Sequence, residues 1–334
     1  MSDLPEQLPH DPLADSDPRL ADQPPIIAVE SAPDPAPYTT ASASSYIPSS
    51  EQDAPQLFAS YLNPSQERIP HLGHVGILFL IALLGLALAA ELAHVADTYH
   101  LYGVNDFTQA ATEIHYTLGT EALFYAFTFL GSVIIFPFVW HKGFFAGLQW
   151  NAGRAREFAG YLMGVAALCF VLAMIDGFFL PGPADAPIDR IFRVPGAAWI
   201  LFAFGVTLAP FFEELGFRGF LLPALATAYD WIAEKVTHSP RLPLDEEGHP
   251  RWSLAAMVAA SFVTSALFAF MHAEQTSYSI GPMLLLVFVS LVLCAARLHL
   301  RSLAASVLVH ATYNFLLFSF MLIGTGGFKH LDKM

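Results

Sequence analysis

The chain has 334 residues, of which 55% are hydrophobic and only 13% are charged. The apolar residues come in blocks of about 17 to 25, the length that a bilayer-spanning helix requires, so the composition excludes a soluble domain. The acidic net charge of −14 argues against binding to nucleic acid. We therefore expect an all-α protein that is integral to a lipid bilayer.

Residues 1–70 form an acidic segment that is rich in Pro, Ser and Ala. It carries eleven Asp or Glu residues against Arg19 and Arg68, which gives a net charge of −9. Such a segment lacks the apolar content that offsets the entropy of ordering a chain. We expect a disordered tail at 1–70, followed by a transmembrane domain at 71–328.

Seven apolar blocks follow, and each predicts a membrane-spanning helix. They cover residues 72–96, 119–140, 157–180, 196–228, 252–272, 281–297 and 302–323. The fourth block is long enough for one broken helix, or for a span followed by a re-entrant piece. The sequence therefore predicts a polytopic helical bundle of about seven to eight helices.

The distribution of Lys and Arg predicts the orientation of the bundle. With seven spans, ten basic residues fall on the side of the N-terminus: Arg19, Arg68, Lys142, Arg154, Arg156, Lys235, Arg241, Arg251, Arg297 and Arg301. Four fall on the other side: Arg190, Arg193, Lys329 and Lys333. The positive-inside rule then places the N-terminus in the cytoplasm.

Two adjacent carboxylates and an arginine lie inside the fourth block, between Phe211 and Pro223. An ionisable side chain at membrane depth costs roughly 2.5 to 3.5 kcal/mol, so it normally pairs or faces a water-filled cavity. Glu214 and Arg218 are four residues apart on one helical face and are expected to pair. Glu213 points about 100° away and is available to hold a water molecule. The alternative interpretation is a structural ion pair that locks two helices.

The residues around the acid pair indicate an irregular helix with close neighbours. Pro210 is expected to distort the helix just before the pair, because proline removes a backbone donor. Gly216 and Gly219 would let another helix approach closely.

Other polar residues have structural interpretations. Glu121, at the start of the second block, fits a first-turn position that the helix dipole favours. Cys169 and Cys294 are interpreted as small core residues. The stretch from Trp231 to Trp252 is expected to be a solvated polar loop.

Two later blocks each carry polar residues in helical register. The fifth ends with Phe268 and His272 four residues apart, and the seventh places His310 and Asn314 four apart near its middle. Within hydrocarbon such groups need partners, and interhelical hydrogen bonding is the structural alternative. A carboxylate can act as general base on a water, a histidine can orient that water, and His with Asn can donate to an oxyanion. The set is therefore sufficient for hydrolysis.

The order of these three motifs resembles a known family. Glu213-Glu214-x-x-x-Arg218, Phe268-x-x-x-His272 and His310-x-x-x-Asn314 look like the motifs of the CPBP family of CAAX-protease and bacteriocin-processing intramembrane proteases, which includes the Rce1 and Abi types. The resemblance covers about residues 196–323.

The resemblance implies a glutamate-dependent intramembrane endopeptidase. Glu213 would activate the water, with His272 helping to hold it. His310 and Asn314 would form the oxyanion hole, and Glu214 with Arg218 would position Glu213. The expected substrate is a peptide or membrane protein, prenylated or CAAX-like, in what we expect to be a bacterial cytoplasmic membrane.

No cofactor is expected, although two His and two Glu are a conceivable zinc set. Asn314 is a poor zinc ligand, which favours the metal-free mechanism. The alternatives to a protease are a non-catalytic immunity or scaffold protein of the same fold, and a transporter that uses the acid pair as a proton relay.

Overall fold

The computed structural model describes residues 68–100, 114–180, 196–245 and 247–328. Every regular element in these ranges is a helix. In chain order they are α1 (Leu72–Thr98), α2 (Ile114–Trp140), α3 (Phe144–Gly147), α4 (Ala152–Glu157), α5 (Ala159–Phe179), α6 (Ala197–Val206), α7 (Leu208–Glu214), a π segment (Leu215–Leu221), α8 (Leu222–Thr237), α9 (Leu254–Met271), α10 (Ile280–Leu300) and α11 (Leu303–Gly324). The expected tail, apart from residues 68–70, lies outside the described residues.

Seven helices in the described ranges are long and apolar enough to cross a membrane, which confirms the polytopic helical bundle. They match the seven predicted blocks to within a few residues at most ends. The fourth is the exception, because it extends from Ala197 to Thr237, nine residues beyond the predicted end at 228. The expected loop therefore begins at His238 rather than at Trp231. His238 has a positive φ of 55° and ends α8 in a left-handed conformation.

The fourth span is interrupted before the acid pair, as expected, but the break lies at Thr207 rather than at Pro210. Thr207 has φ −116° and ψ −71°, and it separates α6 from α7. The proline ring clashes with the carbonyl four residues earlier, at Val206, so the distortion appears one turn ahead of Pro210. The Thr207 hydroxyl donates to the Ala203 carbonyl at 2.6 Å, which adds a hydrogen bond at the break.

The helix changes its hydrogen-bond pattern directly after Glu214. Residues Leu215–Leu221 form a π-helical segment, a rare form that occurs frequently at functional sites. Gly219 lies here against α11, and a Cβ at that position would be 3.2 Å from Leu303 Cδ2. The close approach predicted for Gly219 is confirmed. The same prediction for Gly216 is wrong, since a Cβ there would meet open space.

Helix α11 lies at the centre of the bundle. It packs against α4, α5, α6, α7 and α10, and it also contacts the π segment. Leu162, Leu293 and Val309 share a buried cluster between α5, α10 and α11. Small residues such as Ala166 and Ala305 permit the close spacing, because packing rather than water exclusion holds helices together in lipid.

Both cysteines are buried and free, as expected.

The count of Lys and Arg residues assigned several segments to the N-terminal side of the membrane, and some of these segments contact one another. Lys142 donates to the Gly248 carbonyl at 3.3 Å, Arg154 donates to the Leu300 carbonyl at 3.3 Å, and Arg68 pairs with Glu234 at 2.7 Å. The sixth span was predicted to end at Arg297, but α10 continues to Leu300. The side chain of Arg297 is buried. The four basic residues assigned to the opposite side lie outside the described residues.

The loop after α8 is organised around Asp245 and is not simply solvated. Asp245 Oδ1 accepts the backbone N–H groups of Glu247 at 3.0 Å and of His249 at 2.7 Å, and Oδ2 pairs with Arg301. Burial acts to raise the pKa of Asp245, but the His249 N–H and the charges of His249 and Arg301 outweigh it and hold the pKa below its usual range. Asp230 closes the loop at its other end, where it accepts from the Ser253 N–H at 2.9 Å and hydroxyl at 2.6 Å.

Candidate active site

Glu214 and Arg218 form a buried ion pair at the junction of α7 and the π segment. Arg218 Nη1 lies 2.8 Å from Glu214 Oε1, and neither side chain is exposed. The second guanidinium nitrogen, Nη2, donates to the Ser290 hydroxyl at 2.6 Å and to the Ser290 carbonyl at 3.1 Å. The predicted pairing of Glu214 with Arg218 is confirmed, and α10 supplies an additional partner through Ser290.

His310 of α11 contacts both glutamates. Its Nδ1 lies 2.9 Å from Glu214 Oε1, and its Nε2 lies 3.8 Å from Glu213 Oε2. An ionised carboxylate only accepts hydrogen bonds, so Nδ1 carries the proton in this contact. The contact with Glu214 therefore fixes the tautomer and turns Nε2 towards Glu213. The sequence did not reveal it, because the two residues are 96 positions apart.

His272 faces Glu213 from the other side. It caps α9, where its Nδ1 lies 2.9 Å from the Phe268 carbonyl, which can only accept. The Nε2 atom lies 3.8 Å from Glu213 Oε2. Two histidines thus present the same ring nitrogen to one carboxylate oxygen at equal distances.

Phe268 joins the two histidines to the arginine. The guanidinium carbon of Arg218 lies 4.6 Å from the centre of the Phe268 ring. The same ring contacts His272 at 4.7 Å and His310 at 5.9 Å between centroids. A cation over an aromatic face is attracted by the ring quadrupole, more strongly where water is absent. Phe268 is therefore a part of the site and not only a spacer of its motif.

Asn314 lies one helical turn after His310. Its Nδ2 donates to the Gly205 carbonyl at 2.7 Å, a group in the last turn of α6 next to the break at Thr207. An amide nitrogen has two N–H donors, so this bond leaves one for another acceptor. The structure brings Glu213, Glu214, Arg218, His272 and His310 into one cluster, with Asn314 beside it.

Comparison with known protein families agrees with this geometry. Residues 195–316 match the family model described as type II CAAX prenyl endopeptidase Rce1-like. This segment, called the Rce1-like segment below, is similar to that family. The match confirms the resemblance to the CAAX-protease family and supports, at the level of the family, a CAAX-type intramembrane protease. Comparison with curated proteins and with solved structures finds no match.

The wall of the site next to the Rce1-like segment comes from α2. Glu121 lies two turns into α2, so its assignment to a first-turn dipole position is wrong. Tyr125 donates to Glu121 Oε1 at 3.1 Å, and its ring stacks on Phe212 with centroids 4.6 Å apart. Both groups interact electrostatically with Glu213. The sequence did contain a signal for this wall. Glu121 and Tyr125 are four residues apart in an apolar block, so they share a helical face.

One group of three side chains in the described part of the chain has the spacing of metal ligands. It consists of Asp245, Glu247 and His249 in the loop after α8, where Asp245 is already paired with Arg301. It does not include the glutamates and histidines of the Rce1-like segment. A zinc set built from those residues stays an alternative for the mechanism.

Proposed function

We propose that the protein is an intramembrane endopeptidase in which Glu213 activates the attacking water. The observation that carries the proposal is the placement of Glu213 Oε2 at 3.8 Å from the Nε2 atoms of both His272 and His310. A water oxygen about 2.8 Å from each end of such a gap makes acceptable hydrogen bonds. Glu213 is partly accessible, with its side chain 15% exposed, so a water can reach it.

The reaction begins with transfer of a water proton to Glu213 as the water oxygen attacks the scissile carbonyl. His272 holds the water through Nε2. The carbonyl oxygen becomes an oxyanion, which accepts from His310 Nε2–H when the ring is protonated and from the remaining N–H of Asn314. Glu213 then gives its proton to the leaving amine as the carbon–nitrogen bond breaks.

The buried pair of Glu214 and Arg218 acts through His310. Glu214 accepts from His310 Nδ1 and so holds the ring with Nε2 turned towards Glu213 and the reacting carbonyl. Arg218 pairs with the Glu214 carboxylate and fixes it in place.

The metal-free mechanism is proposed because the potential ligand atoms of Glu213, His272 and His310 do not form one group with the spacing of metal ligands, whereas those of Asp245, Glu247 and His249 do. Asn314, the remaining polar residue of the motifs, is a poor zinc ligand and a natural donor to an oxyanion. Zinc bound here would use Glu213, His272 and His310 as ligands and would supply an activated hydroxide.

The proposed substrate is a peptide or membrane protein with a prenylated or CAAX-like segment that enters the bilayer. We also infer a bacterial cytoplasmic membrane with the N-terminus on the cytoplasmic side. The contacts among the basic segments at residues 68, 142–154, 234–248 and 301 support a common side for them.

Purified protein in liposomes is expected to cleave a CAAX-type peptide and to keep its rate in the presence of a zinc chelator. The expected reason is that Glu213, and not a metal, activates the water. The measurement compares farnesylated and unmodified versions of one peptide, each with and without 1,10-phenanthroline, by mass spectrometry of the products.

A non-chelating isomer of phenanthroline serves as the control. Loss of activity with the chelator and recovery on adding zinc would contradict the metal-free mechanism. Faster cleavage of the farnesylated peptide would show that the protein recognises the prenyl group. Equal rates would show that it recognises only the peptide.

A further inference from the structure

Arg297 of α10 is a buried cation that has no acidic partner. Its side chain is 2% exposed, and no carboxylate in the described parts of the chain lies within ion-pair distance of it. Buried arginines are normally paired, because removal of a charge from water costs several kcal/mol. A buried arginine held only by neutral acceptors therefore points to a specific role.

The guanidinium of Arg297 donates to three groups on two separate segments. Nε donates to the Arg218 carbonyl at 3.3 Å, Nη1 donates to Gln149 Oε1 at 2.9 Å, and Nη2 donates to the Leu148 carbonyl at 3.2 Å. The first acceptor belongs to the π segment. The other two belong to the turn between α3 and α4, outside the Rce1-like segment.

The same turn also forms hydrogen bonds with the start of α11, the helix that bears His310. The Gln149 carbonyl accepts the N–H of Leu303, the first residue of α11, at 3.0 Å. The Ser302 hydroxyl donates to the Asn151 carbonyl at 2.7 Å, next to it. A continuous chain of hydrogen bonds thus runs from the π segment through Arg297 and Gln149 to the start of α11.

Arg218 is held at both ends from one face of α10. Ser290 accepts from its guanidinium, and Arg297 donates to its carbonyl. Ser290 and Arg297 are seven residues apart, so they lie two turns apart on the same face. A π segment departs from the ordinary bonding to the fourth residue, so contacts from outside help to set its register.

We propose that Arg297, together with Gln149, is a positioning residue that sets the distance between the π segment and α11. This distance decides how Glu214 meets His310, and thereby where His310 Nε2 stands relative to Glu213. The inference rests on the proposed function, because it concerns the geometry of the same reaction.

The test compares Arg297→Lys and Gln149→Met with Gln149→Glu. Lysine keeps the charge but cannot donate to three acceptors at once. Methionine keeps the approximate size of Gln149 and removes the acceptor, whereas glutamate keeps an acceptor at the same place. We expect kcat to fall about tenfold or more in Arg297→Lys and Gln149→Met with little change in KM, because a misplacement of about 1 Å costs on the order of 100-fold. Gln149→Glu is expected to retain kcat close to that of the wild type.

Arg154→Lys is the matched control. Arg154 donates to the Leu300 carbonyl at the same end of the bundle but contacts none of the proposed catalytic groups. A kcat in folded Arg297→Lys and Gln149→Met equal to that of Arg154→Lys would overturn the proposal. If Arg297→Lys does not fold, Gln149→Met and Gln149→Glu decide the question, since neither alters the buried cation.

A double variant separates positioning from general loss of stability. Glu214→Gln already disturbs the contact with His310, so adding Arg297→Lys is expected to lower kcat little further. Losses that multiply would contradict a common route through Glu214. Absence of cleavage by the wild type would instead reject the proposed function, and the two failures are thus distinguishable.

Discussion

Replacement of Glu213 by Gln is expected to abolish proteolysis while the protein still inserts and folds. Glutamine keeps the size of the side chain but cannot accept the water proton, and general-base catalysis contributes about 100-fold to 10,000-fold. The nearest histidine nitrogens lie 3.8 Å from Glu213 Oε2, and the side chain is partly exposed, so we expect the fold not to depend on the charge of Glu213. The measurement compares the N- and C-termini of membrane proteins in cells with wild-type or Glu213→Gln protein at equal abundance.

Glu157→Gln is a suitable control, because Glu157 is exposed at the end of α4 and lies outside the site. Termini that disappear only with Glu213→Gln would establish proteolysis and identify the substrate. Indistinguishable termini in all three strains would favour the non-catalytic alternative. A correctly inserted Glu213→Gln protein that still cleaves would refute the assignment of Glu213 as the base.

Removal of Arg218 is expected to destabilise the protein severely, and removal of its partner as well is expected to restore much of the loss. Arg218→Met leaves the buried carboxylate of Glu214 without its counter-charge, a change that typically costs about 3 to 5 kcal/mol. In the double variant Glu214→Gln/Arg218→Met the buried charge is gone. The free energy of unfolding in detergent, measured for both variants and for each single change, checks this expectation.

The same double variant distinguishes a structural ion pair from a positioning one. A purely structural pair predicts that activity returns together with stability. If Glu214 positions His310 through the bond to Nδ1, activity stays low even where the unfolding free energy recovers. A stable double variant with wild-type cleavage would therefore remove Glu214 and Arg218 from the mechanism.

Hydropathy and helical register predicted the parts of this protein that depend on neighbours in sequence. The seven spans follow from apolar blocks, and the pairing of Glu214 with Arg218 follows from their spacing of four. The two faces presented by Glu213 and Glu214 were likewise expected, since adjacent residues diverge on a helix. These features need no knowledge of which helices meet.

The features that the sequence did not reveal depend on contacts between distant segments. His310 meets Glu214, and Arg297 meets Gln149, across roughly 100 to 150 positions. The buried state of Arg297 was missed because a basic residue at a span end normally reaches the interface. Glu121 was misplaced for a related reason, because the start of α2 could not be fixed from hydropathy alone.

The π segment also affects how this protein would tolerate changes in chain length. A deletion of one residue from Gly219 to Leu221 would keep the spacing of Glu214 and Arg218. The shortened segment would return to ordinary α-helical bonding, because a π turn contains more residues than an α turn. Asp230 would then keep its contacts with Ser253, whose N–H and hydroxyl it accepts. A single-codon deletion here would therefore remove the π geometry after Glu214 while every proposed catalytic side chain is still encoded.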